Sequence, residues 1–163
     1  MEMSGQSALN ASREVVWAAL NDPEILRQAI PGCETLERAA ADEFAATVVL
    51  KVGPIKARFL GRVTLSDIRP PEGYTITGQG QGGVAGFAEG GAAVRLEAVD
   101  AAHTILHYDV RAKVGGKIAQ LGARLIDSTA KKLAGQFFDK FGELVGKGPE
   151  QSGENPAPSR TAV

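Results

Sequence analysis

The segment EVVWAALNDPEILRQAIPGCETLE, residues 14–37, decides the fold because it predicts two short helices followed by a sharp stop. Asn10 or Ser12 is suited to cap the first helix, since short polar side chains accept hydrogen bonds from the free N–H groups at a helix start. The tripeptide at 21–23, Asn-Asp-Pro, ends that helix and begins the next, because aspartate suits the N-cap and proline suits the first turn. The Ile-Pro-Gly at 30–32 ends the second helix, since proline disfavours the α conformation in the residue before it.

After this segment the chain alternates between apolar and polar residues, which is the pattern of half-buried strands. Ile55 and Phe59 fall on one face of such a segment, and Lys56 falls on the other. Because no helical pattern interrupts these segments, neighbouring strands are expected to pair antiparallel through hairpins. Besides an N-terminal strand and one beginning near Cys33, strands are predicted at residues 44–52, 55–67, 74–82, 87–99 and 103–114.

The period then changes to 3.6 residues over positions 117–145, which predicts a single amphipathic helix. Such a helix would be roughly 43 Å long, and it must lie across the concave face of the sheet to bury its apolar stripe. The predicted fold class is therefore α+β, a helix-grip arrangement of about seven curved antiparallel strands around a long C-terminal helix, with two short helices after the first strand. The space between sheet and helix is a predicted cavity.

The length of 163 residues fits one folded domain. We assign residues 1–146 to that domain. Residues 147–163 are rich in Gly, Pro and Ser and lack periodicity, so they are predicted to be a disordered tail that contributes nothing to the fold.

The charge distribution argues against nucleic acid as a partner, because the net charge is −1 and the pI is near 6.1. Residues 113–147 nevertheless carry a net +4, against −5 for the rest. This basic face is expected either to be simply solvated or to contact an anionic membrane or acidic partner. A single cysteine, no signal-like start and no apolar window of 18 residues favour a cytoplasmic protein, with peripheral contact at the inner face of the cytoplasmic membrane.

Four stretches carry a family resemblance that extends over about residues 2–145. They are VWAALNDPEILRQAIPGCETLE at 16–37, VGPIKARFLGRVTL at 52–65, GQGQGGVAGFAEGGAAVRL at 78–96 and VGGKIAQLGARLI at 114–126. In this order they resemble the G-subunit family of carbon monoxide dehydrogenase, a branch of the START-like (polyketide cyclase/dehydrase) superfamily. The resemblance implies a helix-grip fold and an accessory role beside molybdenum hydroxylases. It supplies no catalytic triad and no metal site.

The residues that most often carry chemistry are predicted to be structural here. His103 lies in a turn, and His107 shares the polar face of its strand, away from the cavity. Cys33 is a lone cysteine, and no Cys–His spacing or carboxylate cluster predicts a metal shell. Residues 78–83 match G-x-G-x-x-G, but the motif binds phosphate only before a helix, whereas this stretch reads as strand. We therefore predict no catalytic residue and no metal site.

The glycines of the same strand are predicted to shape the cavity wall. On the predicted register Gly78, Gly80 and Gly82 face inward and leave volume above the sheet. They also fit tight sheet curvature or close approach of the helix, and the two interpretations are compatible. The predicted ligand-lining residues are Phe59, Ile76, Gly78, Gly80, Gly82, Phe87, Tyr108, Ile118, Leu121 and Leu125.

These expectations favour a non-catalytic accessory protein of a molybdenum-containing carbon monoxide dehydrogenase or related hydroxylase. Its ligand is expected to be a hydrophobic small molecule, with an isoprenoid quinone or other lipid bound non-covalently, linking the enzyme to the membrane electron-transport pool. One alternative is a cyclase- or dehydratase-type enzyme, for which the inward polar candidates are Tyr74, Tyr108 and Thr129. The other is an assembly or maturation factor whose interior is filled by its own side chains.

Overall fold

In the computed structural model, which describes residues 1–146, seven strands and three α-helices form the predicted helix-grip arrangement. Two 3-10 turns occupy Gly83–Ala85 and Lys117–Leu121. The predicted tail at 147–163 lies outside the described residues. The elements in chain order are β1 (Glu2–Leu9), α1 (Arg13–Leu20), α2 (Pro23–Ala29), β2 (Cys33–Ala40), β3 (Glu43–Val52), β4 (Ile55–Arg69), β5 (Gly73–Gln81), β6 (Phe87–Asp100), β7 (His103–Gly115) and α3 (Ala123–Gly146).

The seven strands form one antiparallel sheet in the order β1-β7-β6-β5-β4-β3-β2. Every neighbour pair except β1–β7 is a hairpin, so the chain lays down most of the sheet sequentially. β1 is the edge strand on the other side of the sheet, where it pairs with β7, the last strand of the chain. The predicted antiparallel sheet of about seven strands is confirmed.

The two short helices begin and end where the sequence places them. Ser12 Oγ accepts a hydrogen bond from the Val15 N–H at 3.1 Å. Asp22 Oδ1 accepts from the Glu24 N–H at 2.9 Å, with Pro23 in the first turn of α2. These caps satisfy N–H groups that a helix start leaves free. α1 packs against β6 and β7, and α2 packs against β2 and α3.

The closing helix begins later than the period of 3.6 predicts. A 3-10 turn occupies Lys117–Leu121, and α3 starts at Ala123 because Gly122 adopts a φ of +99°. Gly116, with a φ of +79°, likewise changes the direction of the backbone directly after β7 ends. The predicted continuous helix over 117–145 is thus wrong at its start, since a left-handed glycine ends helical hydrogen bonding. α3 has 24 residues and spans roughly 36 Å.

Along α3 the depth of burial increases towards the C-terminal end. Phe141 and Val145 are buried, whereas the inward residues of the first half are only partly covered. The helix therefore packs closely at one end and stands away from the sheet at the other. Among residues 1–146, none of the helices combines the length and apolar character needed to cross a bilayer.

Candidate functional site

An apolar cavity of about 310 Å³ lies between the sheet, the two short helices and α3. Its floor is the inner face of the sheet, to which all seven strands contribute, and its roof is the middle of α3. All eighteen lining residues are uncharged, and sixteen of them are wholly apolar. They are Met3, Leu20, Leu26, Ile30, Leu36, Phe44, Val63, Leu65, Tyr74, Ile76, Ala92, Val94, Leu106, Tyr108, Val110, Ala134, Phe137 and Phe138.

The volume depends on small residues facing each other across the cavity. Ala92 on β6 and Ala134 on α3 both line it, where larger side chains would fill the gap between sheet and helix. The volume lies at the lower end of the range for small-molecule sites, about 300–1,000 Å³. An apolar space of this kind is suited to an apolar ligand rather than to water, which needs several polar partners.

Tyr74 is one of two polar groups in the lining. Its side chain is buried against Trp17, with ring centroids 5.4 Å apart. Burial alone raises the pKa of Tyr74, without a contribution from a hydrogen bond or a neighbouring charge among the described residues. The phenol therefore stays neutral and keeps its O–H as a donor for a partner inside the cavity.

Tyr108 is the second polar group, and it lies at the edge of the cavity nearest β1. Its ring stacks on Phe138, with centroids 5.1 Å apart and planes inclined by 22°. The hydroxyl lies over Gly5, where an added Cβ would be only 2.7 Å from that oxygen. Glycine at this position is thus required for the orientation of Tyr108. Phe138 also packs edge-on against Phe137, so the aromatic wall continues along α3.

Two of the ten predicted lining residues, Ile76 and Tyr108, line this cavity. Three others, Phe59, Ile118 and Leu121, pack in a separate apolar cluster with Val52 beside the second 3-10 turn. This second cluster exists because the break at Gly122 turns the chain at that end of the sheet. The period of 3.6 places Ile118 and Leu121 on the same stripe as the later apolar residues of α3 and cannot show that the stripe is divided.

The three predicted wall glycines differ from one another. At Gly80 an added Cβ would meet nothing within 4 Å, so this position faces open space. At Gly78 it would lie 3.2 Å from Val63 Cγ2, and at Gly82 it would collide with the ring of Phe59. Gly78 and Gly82 therefore allow close packing, as the curvature interpretation proposes, and none of the three is among the residues lining the 310 Å³ cavity.

The remaining two predicted residues lie elsewhere. Phe87 pairs with Gly115 and alternates with the inward Ala92 and Val94, which places it on the outer face of the sheet. A Cβ on Gly115 would collide with the Phe87 ring, so the ring covers that glycine. Leu125 contacts the hairpin at Gly53 instead.

Sequence reasoning missed the contribution of the short helices to the lining. Leu20 at the end of α1, Leu26 on α2 and Ile30 directly after α2 all line the cavity. The signal was present in the segment 14–37, where Val16, Ala19 and Leu20 recur at helical spacing and form an apolar face that has to be covered. Phe138 lies on the predicted helix but was not predicted to line the cavity.

The histidines lie outside the cavity, as predicted. His107 Nε2 pairs with Glu97 Oε1 at 2.8 Å on the outer face, and His103 Nδ1 pairs with Asp100 at 2.8 Å in the β6–β7 turn. The Ala102 N–H and then His103 lower the pKa of Asp100. Burial raises the pKa of the Cys33 thiol, which disfavours a reactive thiolate. Within residues 1–146, His, Cys, Asp and Glu form no group of three or more that would hold a metal ion.

Comparison with known families and structures identifies the relatives of this arrangement. The model of the CoxG family, described as the G subunit of carbon monoxide dehydrogenase, matches residues 5–146. A conserved protein from Geobacillus kaustophilus is similar in structure, with 32% identity and a TM-score of 0.85 over 90% of this chain and 96% of that one. A search of the curated proteins finds no significant match.

More distant structures share the fold. The Zhui aromatase/cyclase from Streptomyces sp. R1128 has 14% identity and a TM-score of 0.66, over 95% of this chain and 99% of that one. A START superfamily protein from Mycobacterium smegmatis has 15% identity and a TM-score of 0.62, over 88% and 98%. At such identities the likeness concerns the fold alone.

Proposed function

The chain belongs to the CoxG family, the G subunit of carbon monoxide dehydrogenase, and on that premise we propose that it is a non-catalytic accessory protein that carries a hydrophobic ligand between sheet and helix. The observation that carries the proposal is the uncharged cavity of about 310 Å³. The alternative of an assembly factor requires an interior filled by its own side chains, and the unfilled volume favours the carrier. The proposed partner enzyme, by family membership, is a molybdenum-containing carbon monoxide dehydrogenase or a related hydroxylase.

An isoprenoid quinone is the proposed ligand because its chemistry matches both the partner and the cavity. Oxidation of carbon monoxide releases two electrons, and a quinone takes up two electrons and two protons to become a quinol. The quinone ring and its prenyl chain are apolar, whereas its carbonyl oxygens need donors when they are buried. Tyr74 is a buried residue of the cavity lining, and its neutral O–H is the proposed donor.

The polar groups of the lining support binding rather than acid–base catalysis. A catalytic base works best with a pKa near the ambient pH, whereas burial moves the pKa of Tyr74 upward, away from that range. Tyr108 is engaged in stacking on Phe138. Thr129, the third polar candidate, lies partly exposed on α3 outside the lining residues.

The basic surface of α3 supports peripheral contact with a membrane. Arg124, Lys131 and Lys132 are exposed, and Lys140 lies 4.0 Å from Glu143. Cations at a surface attract anionic lipids by about 1 kcal/mol each. We propose that this face of a cytoplasmic protein lets it collect quinone at the inner face of the membrane and deliver it to the enzyme.

The proposal is tested by titrating the full chain with decylubiquinone and following the fluorescence of Trp17. Trp17 is the single tryptophan, and it contacts Tyr74 of the cavity wall. Bound quinone should therefore quench it in a saturable manner at one equivalent per chain. The control is N-acetyltryptophanamide, which reports collisional quenching alone. Linear quenching with the slope of this control would contradict a quinone site.

A further inference from the structure

The contact between α3 and β1 is closed at one end and open at the other. At the closed end a Cβ on Gly142 would lie 3.7 Å from Leu9 Cδ2, in ordinary van der Waals contact. About two turns earlier, a Cβ on Gly135 would meet nothing within 4 Å. The gap between α3 and β1 is therefore narrow beside Leu9 and wider beside Gly135, towards the start of β1.

A cleft of about 310 Å³ occupies this opening. Its outer rim is mainly polar, with Ser4, Gln6 and Ser7 on β1. On α3 the rim consists of Lys131, Gly135 and Asp139, which recur every four residues along one side of the helix. Its inner wall is formed by Met3, Tyr108 and Phe138, and these three residues also line the apolar cavity. Cleft and cavity are thus neighbours that share a wall of side chains.

The wall shared by cleft and cavity consists of side chains rather than backbone. Tyr108 and Phe138 stack with ring centroids 5.1 Å apart, and Met3 lies beside them. A backbone wall would have to unfold to let a ligand pass, whereas rotation about side-chain bonds is fast on the timescale of binding. Met3 is unbranched and adapts readily to a change of shape.

The length of an isoprenoid quinone compared with the cavity also favours the cleft beside Gly135 as part of the binding site. The cavity lies at the low end of small-molecule sites, so it accommodates a quinone ring with only part of a prenyl chain. The remainder of an elongated apolar molecule has to leave the cavity. The cleft beside Gly135 provides a comparable volume directly behind the aromatic pair.

We propose that an elongated, apolar ligand enters and leaves between β1 and α3, with Tyr108 and Phe138 as its gate and the cleft beside Gly135 as its outer subsite. This proposal rests on the proposed function, because it takes the cavity as the binding site for a quinone or a lipid of similar shape. It adds the route, the gating residues and the position of the part that the cavity does not enclose.

A matched pair of variants on α3 tests the route without disturbing the cavity lining. Gly135→Phe places a bulky side chain in the cleft, whereas Gln136→Phe places the same ring at the next, exposed position, which lines neither the cleft nor the cavity. An added Cβ at Gly135 meets open space and Gln136 is exposed, so both variants should fold like the wild type. Thermal melts confirm this before binding is measured.

Binding of decylubiquinone is then followed by stopped-flow quenching of Trp17 in the full chain. Gly135→Phe is expected to slow association by about tenfold or more, equivalent to about 1.4 kcal/mol of added barrier, while Gln136→Phe keeps the wild-type rate. If wild type and Gly135→Phe bind at equal rates, the route is wrong and the quinone site stands. If the wild type itself shows only collisional quenching, the proposed function fails and the gate fails with it.

Discussion

The variant Ala134→Leu distinguishes a vacant cavity from a close-packed interior, because the two interpretations predict opposite changes in the free energy of unfolding. Ala134 lies on α3 and lines the cavity next to Phe137 and Phe138. Leucine adds three carbons, which contribute about 2 kcal/mol if they fill vacant apolar space, at about 0.8 kcal/mol per methylene. Ordering the longer side chain costs about 0.5–1 kcal/mol. The net gain of about 1 kcal/mol should raise the Tm by about 2–4 °C in a chain of this size.

The assay combines chemical denaturation, thermal melting and titration with decylubiquinone. The added leucine occupies ligand volume, so quinone affinity should fall even as the free energy of unfolding rises. The matched control is Gln136→Leu, an exposed position on the same helix, where stability should change by less than about 0.5 kcal/mol. In a close-packed interior Ala134→Leu would instead overpack and lower stability by about 1–3 kcal/mol. A lower Tm together with unchanged quinone affinity would refute the cavity.

Three further predictions concern individual side chains. Tyr74→Phe should weaken decylubiquinone binding by about 2- to 13-fold, the equivalent of one hydrogen bond of about 0.5–1.5 kcal/mol, without lowering the Tm; an unchanged Kd would place the quinone carbonyl elsewhere. Gly82→Ala should lower the Tm because its methyl group collides with a packed aromatic ring, whereas Gly80→Ala should not; equal melting temperatures would contradict this difference between the two positions. The double variant His103→Gln, His107→Gln should bind decylubiquinone with the affinity of the wild type in the same titration. Loss of binding by the folded protein would show that a histidine contributes to the site.

Local signals in the sequence predict much of this fold because they act over a few residues. The caps at Ser12 and Asp22 depend on side chains that reach an N–H two or three residues away. The inward positions of Tyr74 and Ile76 follow from strict alternation along one strand. Such features need no knowledge of the partner element, and the structure confirms them.

The position of the site depends on contacts between distant elements, which periodicity does not encode. The break at Gly122 divides the stripe of α3, so Ile118 and Leu121 belong to a second cluster rather than to the cavity. Phe87 falls on the outer face because its strand keeps one register from Ala98↔Thr104 to Phe87↔Gly115, after the irregularity next to Asp100. The cleft beside Gly135 likewise depends on how far α3 lies from β1 at that point, and no pattern within either element shows this distance.

The central claim, that the cavity between sheet and helix carries a quinone, is tested most directly by native mass spectrometry. The full chain would be purified in parallel with Ala134→Leu from bacteria that make isoprenoid quinones, and any bound molecule would be extracted and identified. The account predicts one isoprenoid quinone per wild-type chain and its loss from the variant. A wild-type chain without bound quinone, or equal quinone on both proteins, would contradict the account.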